Sequence, residues 1–203
     1  MLSRHYVEVN GLVQTSQYTD AKDKRLEIWD SVFLDGYDLH KAYAINHYGP
    51  VLFLMKLDLL LDNQFQYVRV TRTNPSNWSV KPLFHDSVND VDEKYMVGGN
   101  FDRKVDADIM FLIDTPGIGI SLEKYCDKII LDDPKIETVE KEQVYDRVKI
   151  TLETAQGDSG LSKLAIEKRH QDAIKYDCYR HYAKMANHNI EKFNHYFSKE
   201  AGT

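Results

Sequence analysis

Apolar and polar positions along the chain follow two periods, and each change of period marks an element. Behind Asp20, which can cap a helix, Leu26, Ile28, Trp29, Val32 and Phe33 recur at roughly helical spacing. That pattern predicts a helix over residues 20–34, ended by Gly36. Residues 38–47 predict a second helix with Leu39, Ala42, Tyr43 and Ile45 inward, stopped by Gly49 and Pro50. Residues 50–55 are continuously apolar, the mark of a strand covered on both faces. Residues 65–71 alternate instead, with Phe65, Tyr67, Arg69 and Thr71 on one face and Gln66, Val68 and Val70 on the other. Upstream, Tyr6 to Val9 alternate before Asn10-Gly11, a tight-turn pair that predicts a hairpin.

Residues 72–107 carry turn chemistry at Asn74-Pro75, Lys81-Pro82 and Gly98-Gly99, so Trp78, Leu83, Phe84 and Tyr95 are expected to pin them. A loop of this length in a compact domain usually serves a function. An apolar run from Ile109 to Ile113 then predicts a buried strand. Ser121 can cap a short helix holding Leu122, Glu123 and Tyr125, and residues 128–131 predict a further strand closed by Asp132, Asp133 and Pro134. Residues 144–152 alternate, with Val144, Asp146, Val148, Ile150 and Leu152 facing one way, and read as another strand. Gly157 to Gly160 reads as a linker. Beyond it Tyr179, Ala183, Ala186, Ile190, Phe193 and Phe197 form one helical apolar seam. The expected fold is α+β: a mixed, mostly antiparallel sheet with N-terminal helices and a long C-terminal helix. The core domain is placed at residues 1–155. A helical segment, residues 156–203, is expected to pack on that core or on a partner subunit, the latter giving a homodimer through the C-terminal helix.

Composition narrows the function classes. The net charge of −6 shows no global basic balance of the kind nucleic-acid binding favours. The two cysteines, Cys126 and Cys178, lie far apart and make no metal-ligand spacing, as in a reduced cytoplasmic protein. No apolar run approaches the ~20 residues of a membrane helix, so no membrane partner is expected. No metal is expected either, because the eight histidines form no HExxH and no Cys/His cluster. His181, His188 and His195 sit seven apart beside the seam and read as a solvated face.

The segment from Ile109 through Asp114-Thr115-Pro116-Gly117 to Gly119 invites comparison with a nucleotide switch. A switch needs a glycine-rich loop of the form GxxxxGK[ST] to hold the phosphates, and the chain has none. Thr115-Pro116-Gly117 therefore reads as a turn after a strand. A metal-dependent nuclease is a third reading, with Asp114, Glu123, Asp132 and Asp133 supplying oxygens near strand ends, but their spacing fits no clear nuclease pattern.

A broader pattern resembles the ADP-ribosyltransferase fold, most nearly the DarT-type enzymes that modify nucleic acid using NAD. His47-Tyr48-Gly49-Pro50 and the apolar run to Phe53 resemble the family's turn and early strand. Residues 104–112 resemble its late strand, and residues 122–131 the helix and strand that follow. Asp108 stands where the family carries glutamate, one methylene shorter. The resemblance implies a transferase using NAD, in a toxin or phage-defence setting, with a nucleic-acid or protein target. It implies Asp108 as the catalytic carboxylate, orienting the ribose and stabilising its oxocarbenium-like charge. His5, His47, Tyr48 and either Arg69 or Arg72 would bind NAD, an arginine holding the diphosphate.

The competing class is a non-catalytic protein-binding modulator or inhibitor, of the kind a mobile element or phage encodes. The 13 tyrosines, the acidic balance and the long seam favour it, since tyrosine is enriched at interfaces.

Overall fold

Two apolar stretches, Ile109 to Ile113 and residues 128–131, lie in the central strands of their sheets, while Val51–Met55 forms an edge strand. In the computed structural model, residues 12–13, 21–28, 31–42, 50–65, 67–85, 109–114, 119–159, 164–174 and 176–189 are described. The fold they form is α+β, with strand pairs mostly antiparallel. The chain divides into two compact units, one from Met1–Val13, Tyr43–Leu59 and Ile120–Thr203, the other from Gln14–Ala42 and Leu60–Gly119.

The second unit is organised by β5 (Met110–Asp114), whose Leu112 and Ile113 are fully buried. It pairs antiparallel with β2 (Ser31–Asp35) on one side and β4 (Val68–Val70) on the other. Strand alternation puts Phe33, Leu112 and Arg69, which are register partners, on one face. Leu26, Ile28 and Trp78 cover that face with Leu112, and Phe33, Phe84 and Met110 pack around them. The short helices α1 (Ala21–Arg25) and α2 (Leu39–Ala42) flank β2 in sequence.

In the first unit β1 (Leu12–Val13) pairs antiparallel with β6 (Ile120–Ser121). The larger sheet is centred on β7 (Cys126–Asp133), antiparallel to β3 (Val51–Met55) and parallel to β8 (Ile166–His170). The parallel pair is joined through a helix, α5 (Val144–Ser159), as parallel pairing requires. Val144, Val148 and Leu152 from α5 pack on Ile129 and Leu131 of β7. Tyr182, Met185 and Ala186 of α6 (Tyr176–His188) join the same core. Two further helices are short: α3 (Asp58–Leu61), with Leu59 buried, and α4 (Leu122–Tyr125), where the Lys124 N–H donates to the capping Ser121 Oγ at 3.3 Å.

Several expectations are corrected. Residues 20–34 are not one helix: α1 ends at Arg25, and Ser31–Asp35 is a strand, in keeping with its β-branched and aromatic residues. Residues 144–152 are helical rather than extended. Val144, Val148, Leu152 and Ala155 are the buried apolar positions, at spacings of four, four and three, while Ile150 is 64% exposed. The helix continues through Gly157, so the boundary set between residues 155 and 156 falls inside α5. Where a single sheet is expected, the strands among the described residues form three sheets, of two, three and three strands. The seam residues Tyr179, Ala183 and Ala186 pack on the chain's own core, while Ile190, Phe193 and Phe197 lie outside the described residues. Of the second N-terminal helix, α2 is described, and residues 43–47 lie outside. So do the expected hairpin at residues 6–11, Tyr95 and the 115–118 turn.

Candidate functional site

Asp108, His5, His47 and Tyr48 lie outside the described residues. Arg69 and Arg72 are described, and the structure gives them different surroundings. Arg69 Nη2 donates to Asp114 Oδ1 at 2.8 Å and to Oδ2 at 3.0 Å, and Ser31 Oγ donates to the same Oδ1 at 2.6 Å. The strand register sets this up, because Ser31 and Asp114 are direct partners and Arg69 sits opposite Leu112. The Arg69 guanidinium also stacks on the Phe84 ring, 4.3 Å from its centroid. A planar cation held by a carboxylate and an aromatic face is an anchored group. Both carboxylate contacts come from Nη2, one of its three nitrogens, and its buried Nε meets no hydrogen-bond partner among the described residues. Arg72, past the end of β4, is exposed.

Downstream of Arg72 the chain doubles back. A 3-10 turn at Pro75–Asn77 leads to Trp78, which is buried and whose Nε1 donates to Thr73 Oγ1 at 3.1 Å. Trp78 meets Phe84 edge to face, with ring centroids 5.3 Å apart. Phe84 bridges Thr71, the Arg72 N–H donates to the Leu83 carbonyl at 2.9 Å, and the His85 N–H donates to the Val70 carbonyl at 2.9 Å. From the other side, Arg25 Nη2 donates to the Ser79 carbonyl at 3.2 Å. Residues 79–83 are thus fastened at both ends, yet Val80 is 81% exposed and Leu83 37% exposed. Lys81 lies between them, also exposed. The sequence named Trp78, Leu83 and Phe84 as pins. It did not show that Val80 and Leu83 would be displayed, because the fastening runs through contacts far apart in the chain.

The first unit holds a second polar assembly, at the carboxyl ends of β7 and β8. Arg169 Nε donates to Asp132 Oδ1 at 2.6 Å, and the Tyr182 hydroxyl donates to Oδ2 at 2.9 Å, all three side chains being buried. Asp133 faces Lys135 Nζ and Lys168 Nζ, each 2.7 Å from its Oδ2, and its Oδ1 accepts the Lys135 N–H at 3.2 Å. Burial pushes the Asp133 carboxyl up, but hydrogen bonds from Lys135 and Lys168 outweigh it and hold the group below the usual carboxylate range. Hydrogen bonding to Asp133 in turn raises Lys168, whose ammonium also sits 4.0 Å above the Tyr145 ring. Each acid in this assembly is matched by cations of its own fold, which identifies it as the clasp of the β7–α5–β8 unit. Asp132 and Asp133 were visible at a strand end in the sequence; Arg169 and Tyr182, 37 and 50 positions from Asp132, were not.

Asp114 is bound to Arg69 in one unit, while Asp132 and Asp133 are engaged in the other. Among the described residues no group of three or more His, Cys, Asp or Glu side chains is arranged to hold a metal ion. Among the same residues, no helix is long and apolar enough to cross a membrane. No protein-family model matches the chain, and no curated protein or solved structure does either.

Proposed function

We propose that the chain is a non-catalytic protein-binding modulator that presents residues 79–83 to a protein partner. The observation that carries this reading is the display of Val80 and Leu83 on a segment fastened by Trp78, Phe84 and Arg25. Scattered surface aliphatics are ordinary, but aliphatics on a segment already ordered lose little further entropy when a partner covers them. The test is stoichiometric complex formation by the tagged full chain in a host lysate, read by native mass spectrometry. A protein partner retained by Asp108→Ala and lost by Val80→Asp supports the reading. Absence of any partner, together with transfer of label from NAD that depends on Asp108, overturns it.

A specific observation favours a second reading, the ADP-ribosyltransferase. The strand that begins just after Asp108 pairs directly with the strand carrying Arg69: the Thr71 N–H donates to the Met110 carbonyl at 3.0 Å, with Arg72 next in line. In this reading Arg72 holds the diphosphate of the NAD substrate and Arg69 braces β4 against β5. Incubation with labelled NAD and DNA, RNA or cell extract tests it. The reading expects label transfer lost in Asp108→Ala and reduced in Arg72→Ala; no transfer and no thermal stabilisation by NAD contradict it.

A further inference from the structure

We infer that the sheet edge at Phe84 takes an extended apolar segment of the protein partner as an added antiparallel strand, an inference that rests on the protein-binding reading above. The isolated bridge between Thr71 and Phe84 carries the β2–β5–β4 sheet one position further. On either side of that bridge the Arg72 N–H donates to the Leu83 carbonyl and the His85 N–H to the Val70 carbonyl, each at 2.9 Å. Bonds placed in this way make Thr71 and Phe84 an opposed pair whose own N–H and C=O groups point away from each other. The Thr71 N–H is met by the Met110 carbonyl of β5 at 3.0 Å. The N–H and C=O of Phe84 point the opposite way, off the sheet, and among the described residues neither has a hydrogen-bond partner.

A donor and an acceptor presented by one extended residue select the class of occupant. A residue of an antiparallel extended chain offers the matching acceptor and donor at the ~4.8 Å spacing of neighbouring strands. A helix has those groups committed to its own turns. Single-stranded nucleic acid stacks its bases on exposed aromatic faces, whereas the Phe84 ring already carries the Arg69 guanidinium and the Trp78 ring. Pro82 has no N–H and Lys81 beside it is exposed, two devices that keep a sheet edge from pairing indiscriminately. They restrict the register of an added strand to Phe84. Alternation puts Leu83, 37% exposed, on the face opposite the Phe84 ring. The partner residue next to the one that meets Phe84 comes beside Leu83, which suits a Val, Ile or Leu there.

The experiment is amide hydrogen exchange by NMR on the full chain, alone and titrated with two probes: a pentapeptide alternating Thr and Val, and the same peptide N-methylated on its central residue. In the chain alone the Phe84 amide should exchange far faster than the bonded Arg72 and His85 amides. The inference expects the unmethylated peptide, at saturation, to slow Phe84 exchange by about tenfold or more. The methylated peptide keeps the side chains but loses the backbone donor, and should not bind. Leu83→Asp should weaken the peptide by about fivefold. That position is exposed, and an unchanged circular dichroism spectrum and melting midpoint establish that the variant folds. A Phe84 amide already protected in the monomeric chain, failure of the unmethylated peptide to bind, equal binding of the methylated one, or binding that leaves Phe84 exchange unchanged each overturns the inference. A dimer of the chain alone that protects the Phe84 amide overturns it too, and puts a second copy at the edge. A lysate partner whose purified complex leaves Phe84 exchange unchanged sinks the edge while sparing the protein-binding reading. Lack of any protein partner in the lysate sinks that reading instead.

Discussion

Asp133 has one carboxylate oxygen facing two lysines, and its chemistry sets a pH dependence. Its carboxyl is held below the usual range in the folded chain, so its contribution is fully present above the unfolded-state value. That contribution is lost as pH falls through the lowered folded-state value. Asp133→Asn should therefore lower stability at neutral pH by about 2 kcal/mol, and the gap to wild type should close in strong acid. Urea titrations across pH check this, and a gap that persists in acid would contradict it. Cys126 is a free, buried thiol pushed up to about 11, by burial first and then by the neighbouring Asp127 charge. In a Cys178→Ser background it should resist thiol reagents at pH 8 until the chain unfolds; rapid labelling of the native protein would refute the burial. Arg69→Lys should cost about 1 kcal/mol by thermal melting, because an ammonium cannot both pair with Asp114 and stack on Phe84. The pair is partly exposed, which keeps the figure modest.

At the scale of elements, four strands were legible, and so were the helices α2, α4 with its Ser121 cap, and α6. The strands β3, β4, β5 and β7 fall within or over the apolar runs that predict them. The expectation that residues 50–55 are covered on both faces does not hold, because β3 lies at a sheet edge with Leu54 40% exposed, whereas β5 and β7 lie centrally with fully buried residues. The strand β8 reads Ile-Glu-Lys-Arg-His and carries no apolar pattern, as suits a sheet edge with most of its side chains outward. The helix α5 was misread because Val144, Val148 and Leu152 satisfy periods of both two and four. The exposure of Asp146 and Ile150 separates the two. This correction has a direct test at Gly157, which lies in the helix with open space where a Cβ would go. Gly157→Ala should raise stability by about 0.5–1 kcal/mol, as in any exposed helix interior. A loss of stability would favour a linker. Tyr182→Phe should cost about 1–2 kcal/mol in urea titrations, since the lost hydroxyl ties α6 to the buried Asp132.

Over the whole molecule, each unit carries a polar assembly of described residues at a strand end, and the two differ in kind. The Asp132–Asp133 assembly holds β7, β8 and α6 together through matched charges. In the other unit, matched charge at Arg69 and Asp114 is spent on anchoring β4. Beyond it the chain turns back and leaves Arg72, Val80, Lys81 and Leu83 facing outward. The sequence showed the arginines on or beside an alternating strand but could not divide them into an anchor and an exposed group. That division depends on Asp114, 45 positions from Arg69. The display of Val80 was equally hidden, since turn residues say where a chain bends and not what the bend exposes. The central claim, that this outward segment is the working surface, is tested most directly by comparing wild type, Asp108→Ala and Val80→Asp for stoichiometric complex formation in host lysate. The account predicts a protein complex with wild type and Asp108→Ala and none with Val80→Asp. A complex indifferent to Val80→Asp, or label transfer from NAD abolished by Asp108→Ala with no complex at all, would contradict it.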